Sequence, residues 1–149
     1  NLGRMHLYFA QRGDEAAKAA VYETMRRAIA AAPRNPDTFE QFARAQLGLD
    51  DFAGALENAE RAIGLYPGDP RYYTVAADAA RRLGDVPKSL ELLRQGVANT
   101  DANDLRLTFA RRLIEASQYA EARSVLQDVL SRDPTNAAAV DLHRSIEGR

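Results

Sequence analysis

A turn signal built around proline recurs along this chain at a nearly constant interval. It appears as "APRNP", then as "YPGDP", and near the end as "RDPTN". Pro33 precedes Pro67 by 34 residues, and Pro36 precedes Pro70 by the same interval. Two such prolines cannot lie inside one helix, because proline lacks the amide hydrogen and clashes with the preceding turn. The sequence therefore predicts short helices that are interrupted with a period of 34 residues.

Between these turns, apolar residues recur with the period of an α-helix. After the first turn they lie at Phe39, Phe42, Ala43 and Leu47, which is one face of a helix. No segment alternates with the period of a strand, so the chain is predicted to be all-α. Shorter turns divide each interval into two antiparallel helices, and we expect these turns near Gly13, Asp50, Gly84 and Ser117.

The helix pairs resemble the tetratricopeptide repeat (TPR). The family pattern has a large and then a small residue in the first helix, a glycine at the turn and an aromatic residue opening the second helix. Along the second helix a small, a large and another small residue follow, and a proline closes the unit. The first clear unit has Phe42, Ala43, Asp50, Phe52, Ala55, Ala59, Ala62 and Pro67 at these places. The next has Ala76, Ala77, Gly84, Val86, Ser89, Leu93 and Gly96, and the last has Phe109, Ala110, Ser117, Tyr119, Ala122, Leu126, Val129 and Pro134.

The resemblance implies an all-α fold, a right-handed superhelical solenoid of antiparallel helix pairs that forms a single domain over residues 1–149. We expect about four units, near residues 1–35, 36–69, 70–102 and 103–136, followed by a capping helix over residues 137–149. Small residues should allow close helix contacts at Ala43, Ala62, Ala77 and Ala110. Stacked units should bury the aromatic residues Phe39, Phe42, Phe52, Tyr73, Phe109 and Tyr119 between them.

Composition and motifs indicate a protein without chemistry of its own. The formal net charge of −1 argues against a general nucleic-acid binder, and the chain has no cysteine for a disulfide, a thiolate nucleophile or a zinc site. No phosphate-binding loop, hydrolase or metalloprotease motif is present. His6 and His143 are isolated, and the run "DANDL" lacks the glycine and distal glutamate of a calcium loop. We therefore expect no catalytic residue, no metal and no cofactor.

What remains is a surface for a protein or peptide partner. The family pattern implies that the first helix of each unit lines the concave face, which gives the predicted contact residues Glu40, Gln41, Arg44, Arg71, Thr74, Asp78, Arg81, Leu107 and Arg111, with Asp37 and Thr108 beside them. Family members that bind the carboxyl end of chaperones carry lysine and asparagine here. Because Glu40, Arg44 and Val75 stand in those places, that role is not expected. Arg44, Asp78 and Arg111 hold equivalent places, so we expect a charge ladder across neighbouring units.

Two other functions stay open from the sequence. The segment could be a structural spacer, similar to the TPR regions of bacterial envelope and exopolysaccharide-export proteins, or the non-catalytic part of a larger enzyme. The first residue is asparagine, which suggests a piece of a longer protein. All but two of the basic residues are arginine, a composition typical of GC-rich bacterial genomes. Nothing distinguishes the cytoplasm from the periplasm, and no membrane insertion is expected within this segment.

Overall fold

Eight α-helices joined by short turns make up residues 15–149, the part of the chain that the computed structural model describes. They are α1 (Glu15–Ala31), α2 (Pro36–Gly48), α3 (Phe52–Leu65), α4 (Pro70–Arg82), α5 (Val86–Asn99), α6 (Asn103–Glu115), α7 (Tyr119–Arg132) and α8 (Ala137–Ser145). No strand occurs in this range, which confirms the all-α prediction. The predicted turn at Gly13 and His6 lie outside the described residues.

Each helix packs against the next, and alternate helices stack on one another. α2 pairs with α3, α4 with α5, and α6 with α7, while α2 also contacts α4 and α6 also contacts α8. α4 and α6 contact each other less than α2 and α4 do, and about as much as α6 and α8. The predicted capping helix is present as α8, although it ends at Ser145 rather than continuing to residue 149. Ala139 and Ile146 bury its inner side against the last pair.

Side-chain caps explain where the helices begin. Asn35 accepts a hydrogen bond from the backbone N–H of Asp37, and Asp69 accepts one from that of Arg71. A proline follows each cap at the first helical position, where its missing N–H leaves nothing unpaired. The proline turns that set the sequence period are thus helix starts, and they align α2 and α4 in the same register.

Turns within the pairs require left-handed backbone. The φ angles are 58° at Asp50, 85° at Gly84 and 60° at Ser117. These are the three described positions at which the sequence predicts the turns, so that prediction is confirmed. Glycine adopts this conformation freely, whereas a residue with a Cβ atom is strained by about 1–2 kcal/mol.

Exchanging residues at these turns should change stability in opposite directions. Gly84→Ala should lower the free energy of unfolding by roughly 1 kcal/mol through backbone strain alone, because an added Cβ atom meets nothing within 4 Å. Ser117→Gly should raise it by roughly 0.5–1 kcal/mol, since relief of strain exceeds the entropic cost of glycine. Urea unfolding of both variants tests this, provided that the dependence of the free energy of unfolding on urea concentration is unchanged. A lower midpoint for Ser117→Gly than for the unchanged protein would contradict it.

Small residues let the helices approach closely, as predicted. Ala43, Ala62 and Ala110 are 0% exposed and Ala77 is 3% exposed. Of the six aromatic residues expected in the core, four are buried: Phe39, Phe42, Tyr73 and Phe109. The prediction was wrong for Phe52 and Tyr119, which are half-buried. Their outer ring faces are instead covered by arginine side chains, Arg82 over Phe52 and Arg149 over Tyr119.

α1 is held to the first complete pair by a polar network around Tyr22. Its hydroxyl donates to Asp51 Oδ2 at 2.6 Å, and Gln46 Nε2 donates to the same oxygen at 2.8 Å. The Tyr22 ring also packs edge-on against Phe42, with centroids 5.5 Å apart. Burial and the hydrogen bond to Asp51 raise the pKa of Tyr22 to about 12.

This pKa predicts that alkaline pH releases α1. The fold favours the neutral phenol, so the contribution of Tyr22 to stability is complete below the ordinary pKa near 10 and is lost as pH rises towards 12. Burial and a hydrogen bond to Asp37 raise the pKa of Tyr72 to about 12 as well, so a tyrosinate absorbance titration should show two late-titrating groups among the described residues, and Tyr22→Phe should remove one of them. If the curves of the unchanged protein and of Tyr22→Phe differ near pH 10 instead, Tyr22 is not hydrogen-bonded to Asp51.

Candidate partner-binding groove

An open groove runs along the seam where α4 and α6 fail to close on each other. Its centre is a cavity of about 340 Å³ between α2, α4 and α6. The lining side chains come mainly from the first helices of three successive pairs. They are Arg44, Leu47, Thr74, Val75, Ala77, Asp78, Leu93, Thr108 and Arg112.

Two further cavities extend this centre in both directions. Towards the N-terminal ends of the helices, a cavity of about 310 Å³ is lined by Arg44, Pro70, Arg71, Thr74, Ala102, Asp104, Leu105 and Thr108. Towards the C-terminal ends, a smaller one of about 190 Å³ is lined by Arg81, Val86, Ser89, Leu90, Arg112, Glu115 and Ala116. Shared lining residues join all three, and we name the whole the α4–α6 groove.

The length of the groove follows from the helices that form it. α4 and α6 each have 13 residues, and at 1.5 Å per residue this is about 20 Å. An extended chain advances about 3.3 Å per residue, so roughly six residues of a peptide match this length. The groove is therefore large enough for a short segment of another protein.

Ion pairs within and between units hold the charged side chains at the groove. Arg44 pairs with the buried carboxylate of Glu40. Arg71 contacts Asp69 at 2.6 Å and Asp37 at 2.8 Å, and the hydrogen bond from Arg71 keeps the pKa of Asp69 below its usual value. The Arg71 side chain is about half exposed, so solvent screens and weakens its ion pairs. Their effect is to orient the guanidinium groups along the groove.

The predicted charge ladder between units is wrong. Asp78 accepts a hydrogen bond from Arg81 of its own helix at 2.8 Å, and Arg44 pairs with Glu40 of its own helix. Within the described residues, no ion pair joins Arg44, Asp78 and Arg111. Arg44 and Asp78 each have a partner of opposite charge three or four residues away, which already lies on the same face of the same helix.

The predicted contact residues divide into three groups. Arg44, Arg71, Thr74, Asp78 and Arg81 line the α4–α6 groove. Glu40 and Leu107 are buried beneath it, at 3% and 7% exposure. Gln41 and Arg111 are exposed on the surface and line none of the three cavities.

On α6 the central cavity is lined by Thr108, which the repeat alignment indicated, and by Arg112, one position beyond the indicated Arg111. Arg112, rather than Arg111, lies in the central cavity and bonds Glu115 at 2.9 Å. α2 and α6 flank α4 from opposite sides, so each presents a different edge to the space between them. Alignment of repeats places equivalent residues at equivalent positions and does not capture this difference. The sequence signal for Arg112 was that a second arginine directly follows Arg111.

Metal binding and membrane insertion find no support in the described part of the chain. Residues 15–149 contain no group of three or more His, Cys, Asp or Glu side chains arranged to hold an ion. Asp101, from the run compared with a calcium loop, is bonded to Arg106 and Arg132 instead. Among these helices, none combines the length and hydrophobicity of a transmembrane span.

Comparison with known proteins supports the repeat fold. Residues 41–104 match the family model described as tetratricopeptide repeat. A search of curated proteins found no relative of this sequence. Solved structures with the same fold have low sequence identity, so they establish the architecture and not a shared function.

Three solved structures illustrate this similarity. MamA superposes with a TM-score of 0.68 at 13% identity, covering 90% of this chain and 81% of its own. A TPR protein from Parabacteroides merdae ATCC 43184 gives 0.73 at 17% identity, over 98% of this chain and 57% of that one. YrrB, described as a TPR protein with an unusual peptide-binding site, superposes with a TM-score of 0.65 at 15% identity, covering 82% of this chain and 63% of its own. Residues 41–104 match the tetratricopeptide repeat model and the helix pairs stack as in these solved structures, so this chain has the fold of a tetratricopeptide repeat solenoid.

Proposed function

We propose that this protein is a non-catalytic interaction module that binds a segment of a protein partner in the α4–α6 groove. The TPR fold is in general a scaffold for protein–protein interaction, and solenoids use their extended concave surfaces for it. The observation that carries the proposal is the line of three joined cavities between α4 and α6, where neighbouring helices would otherwise close. This gap offers a partner about 20 Å of rigid wall.

Two threonines suit the middle of the groove to an extended backbone. The hydroxyl of Thr74 donates to the carbonyl of Pro70 at 3.1 Å, and that of Thr108 donates to the carbonyl of Asp104 at 3.0 Å. Each hydroxyl oxygen therefore keeps lone pairs free to accept an N–H from a bound peptide. Val75 and Leu47 beside them supply apolar contact. Main-chain hydrogen bonds flanked by apolar side chains are a common basis of peptide recognition.

Blocking the groove should abolish binding of peptides selected for it. Peptides are first selected against the protein from a random display library, and their affinities are measured by fluorescence polarisation. Thr74→Trp and Thr108→Trp should each weaken binding by roughly tenfold or more, because an indole in the central cavity occupies the space of the peptide. Gln127→Trp, at an exposed position on α7 outside the three cavities, is the matched control.

Hydrogen exchange adds a readout that does not depend on substitution. Bound peptide should slow amide exchange in α4 and α6 more than in α3 and α7. Selected peptides that bind both tryptophan variants as tightly as the unchanged protein would show that the groove is not the binding surface. The spacer function would then be the better account.

A further inference from the structure

The end of the groove near the α4–α5 turn differs from the corresponding place in the flanking pairs. Phe52 opens α3 and Tyr119 opens α7, and an arginine covers each ring: Arg82 with its Cζ 5.6 Å from the Phe52 centroid, and Arg149 at 5.8 Å from that of Tyr119. Valine opens α5 instead, and Val86 is 43% exposed. The middle pair therefore lacks an aromatic ring that both of its neighbours have.

The arginine that would cover a ring at the position of Val86 is missing as well. Arg82 is the last residue of α4 and Glu115 is the last residue of α6, so the two hold equivalent positions. Glu115 does not extend over Val86 but bonds Arg112 with both carboxylate oxygens, at 3.0 and 2.9 Å. The ring and the covering arginine are thus replaced by a short apolar side chain, Val86, and by a carboxylate, Glu115, that is paired with Arg112.

The result is the smaller cavity of about 190 Å³, which both Val86 and Glu115 line. Its floor is apolar, from Val86, Leu90 and Ala116. An apolar cavity of about 150 Å³ is large enough to hold a benzene ring. The space left by the missing aromatic residue is therefore sufficient for the ring of another molecule.

The rim of this cavity has more basic than acidic groups. Two arginines, Arg81 and Arg112, and one carboxylate, Glu115, line it, while Asp78, the ion-pair partner of Arg81, lines the central cavity instead. The Nε atom of Arg81 is buried and has no hydrogen-bond partner. Because this atom is buried, a ligand can reach Arg81 only through the exposed part of the guanidinium group, and the side chain as a whole is 37% exposed.

We propose that this cavity binds an aromatic side chain of the partner segment, with an adjacent acidic residue on Arg81 and Arg112. The proposal rests on the proposed function and specifies the chemistry of its ligand. The ring occupies the place that Phe52 and Tyr119 occupy in the flanking pairs. The carboxylate lies against the guanidinium groups of Arg81 and Arg112, which outnumber the single carboxylate, Glu115, in the lining of the cavity.

Small probes test the ring and the charge separately. N-acetyl-aspartyl-phenylalanine amide, titrated into labelled protein, should shift the methyl resonances of Val86 and Ala116. Replacing phenylalanine by alanine in the probe should weaken binding by roughly tenfold or more, and replacing aspartate by lysine should weaken it by roughly fivefold. Absence of shifts at Val86 and Ala116, or equal binding of all three probes, would overturn the proposal.

Filling the cavity from the protein side provides the matched variants. Val86→Tyr restores the residue type found in the flanking pairs and should fold normally, by circular dichroism, while losing the aspartyl-phenylalanine probe. Ala116→Met fills the same space from α6, and Ala98→Tyr, exposed elsewhere on α5, is the control. If library peptides are lost from Thr74→Trp but bind Val86→Tyr unchanged, the aromatic anchor is refuted and the groove stands as the binding surface.

Discussion

Gly96→Ala should lower the free energy of unfolding by about 2–3 kcal/mol, although alanine is the better helix former. Gly96 lies inside α5 and is buried. A Cβ atom added there would approach Leu105 Cδ2 and Tyr73 Cγ, both at 2.7 Å. Both neighbours are themselves buried, at 2% and 0% exposure, so they have little room to move away. Overpacking therefore outweighs the gain in helix propensity of about 1 kcal/mol.

Gly64 is the matched control for this prediction. It also lies inside a helix, α3, but an added Cβ atom meets nothing within 4 Å. Gly64→Ala should therefore raise stability by about 1 kcal/mol, from helix propensity alone. Urea unfolding of the two variants should give midpoints on opposite sides of that of the unchanged protein. A stabilising Gly96→Ala would mean that α4, α5 and α6 pack less closely here than described.

Arg106→Ala should lower the free energy of unfolding by about 2–4 kcal/mol. Arg106 is 5% exposed and stands one repeat after Tyr73, in the place of a core aromatic residue. Its Nε lies 2.8 Å from Asp128 Oδ2, and a terminal nitrogen lies 3.2 Å from Asp101 Oδ1. The first contact is close but poorly aligned, so Nε makes no hydrogen bond despite its ion pair. We therefore attribute most of the loss to packing.

Arg106→Tyr separates packing from charge. Tyrosine restores the ring that Phe39 and Tyr73 supply in the two preceding pairs, and both are fully buried there. Asp101 and Asp128 keep their contacts to Arg132, so neither carboxylate is left without a cation. We expect the free energy of unfolding to stay within about 1 kcal/mol of the unchanged protein, since hydrophobic replacement of buried ion pairs is often neutral. An equal loss of stability in the tyrosine and alanine variants would show that the ion pairs of Arg106, and not its side-chain volume, stabilise this part of the fold.

The sequence by itself determined the repeat, the helices and their turns. Each of these depends on residues that are close along the chain. Asn35 and Asp69 cap the helices that they precede, and the prolines after them exclude any other start. Regular spacing then allowed Asp50 and Ser117 to be recognised as turn residues, although neither is glycine.

Only the tertiary structure decided where a partner could bind. The space between α2, α4 and α6 stays open as a cavity, and Arg112 rather than Arg111 lines it. Glu40 and Leu107, which the repeat pattern placed on the surface, are buried. The physical reason is that a repeat pattern specifies which face of a helix is apolar. The rotation and separation of neighbouring helices depend on contacts between distant side chains, such as Arg106 in place of an aromatic residue, and these contacts differ from one unit to the next.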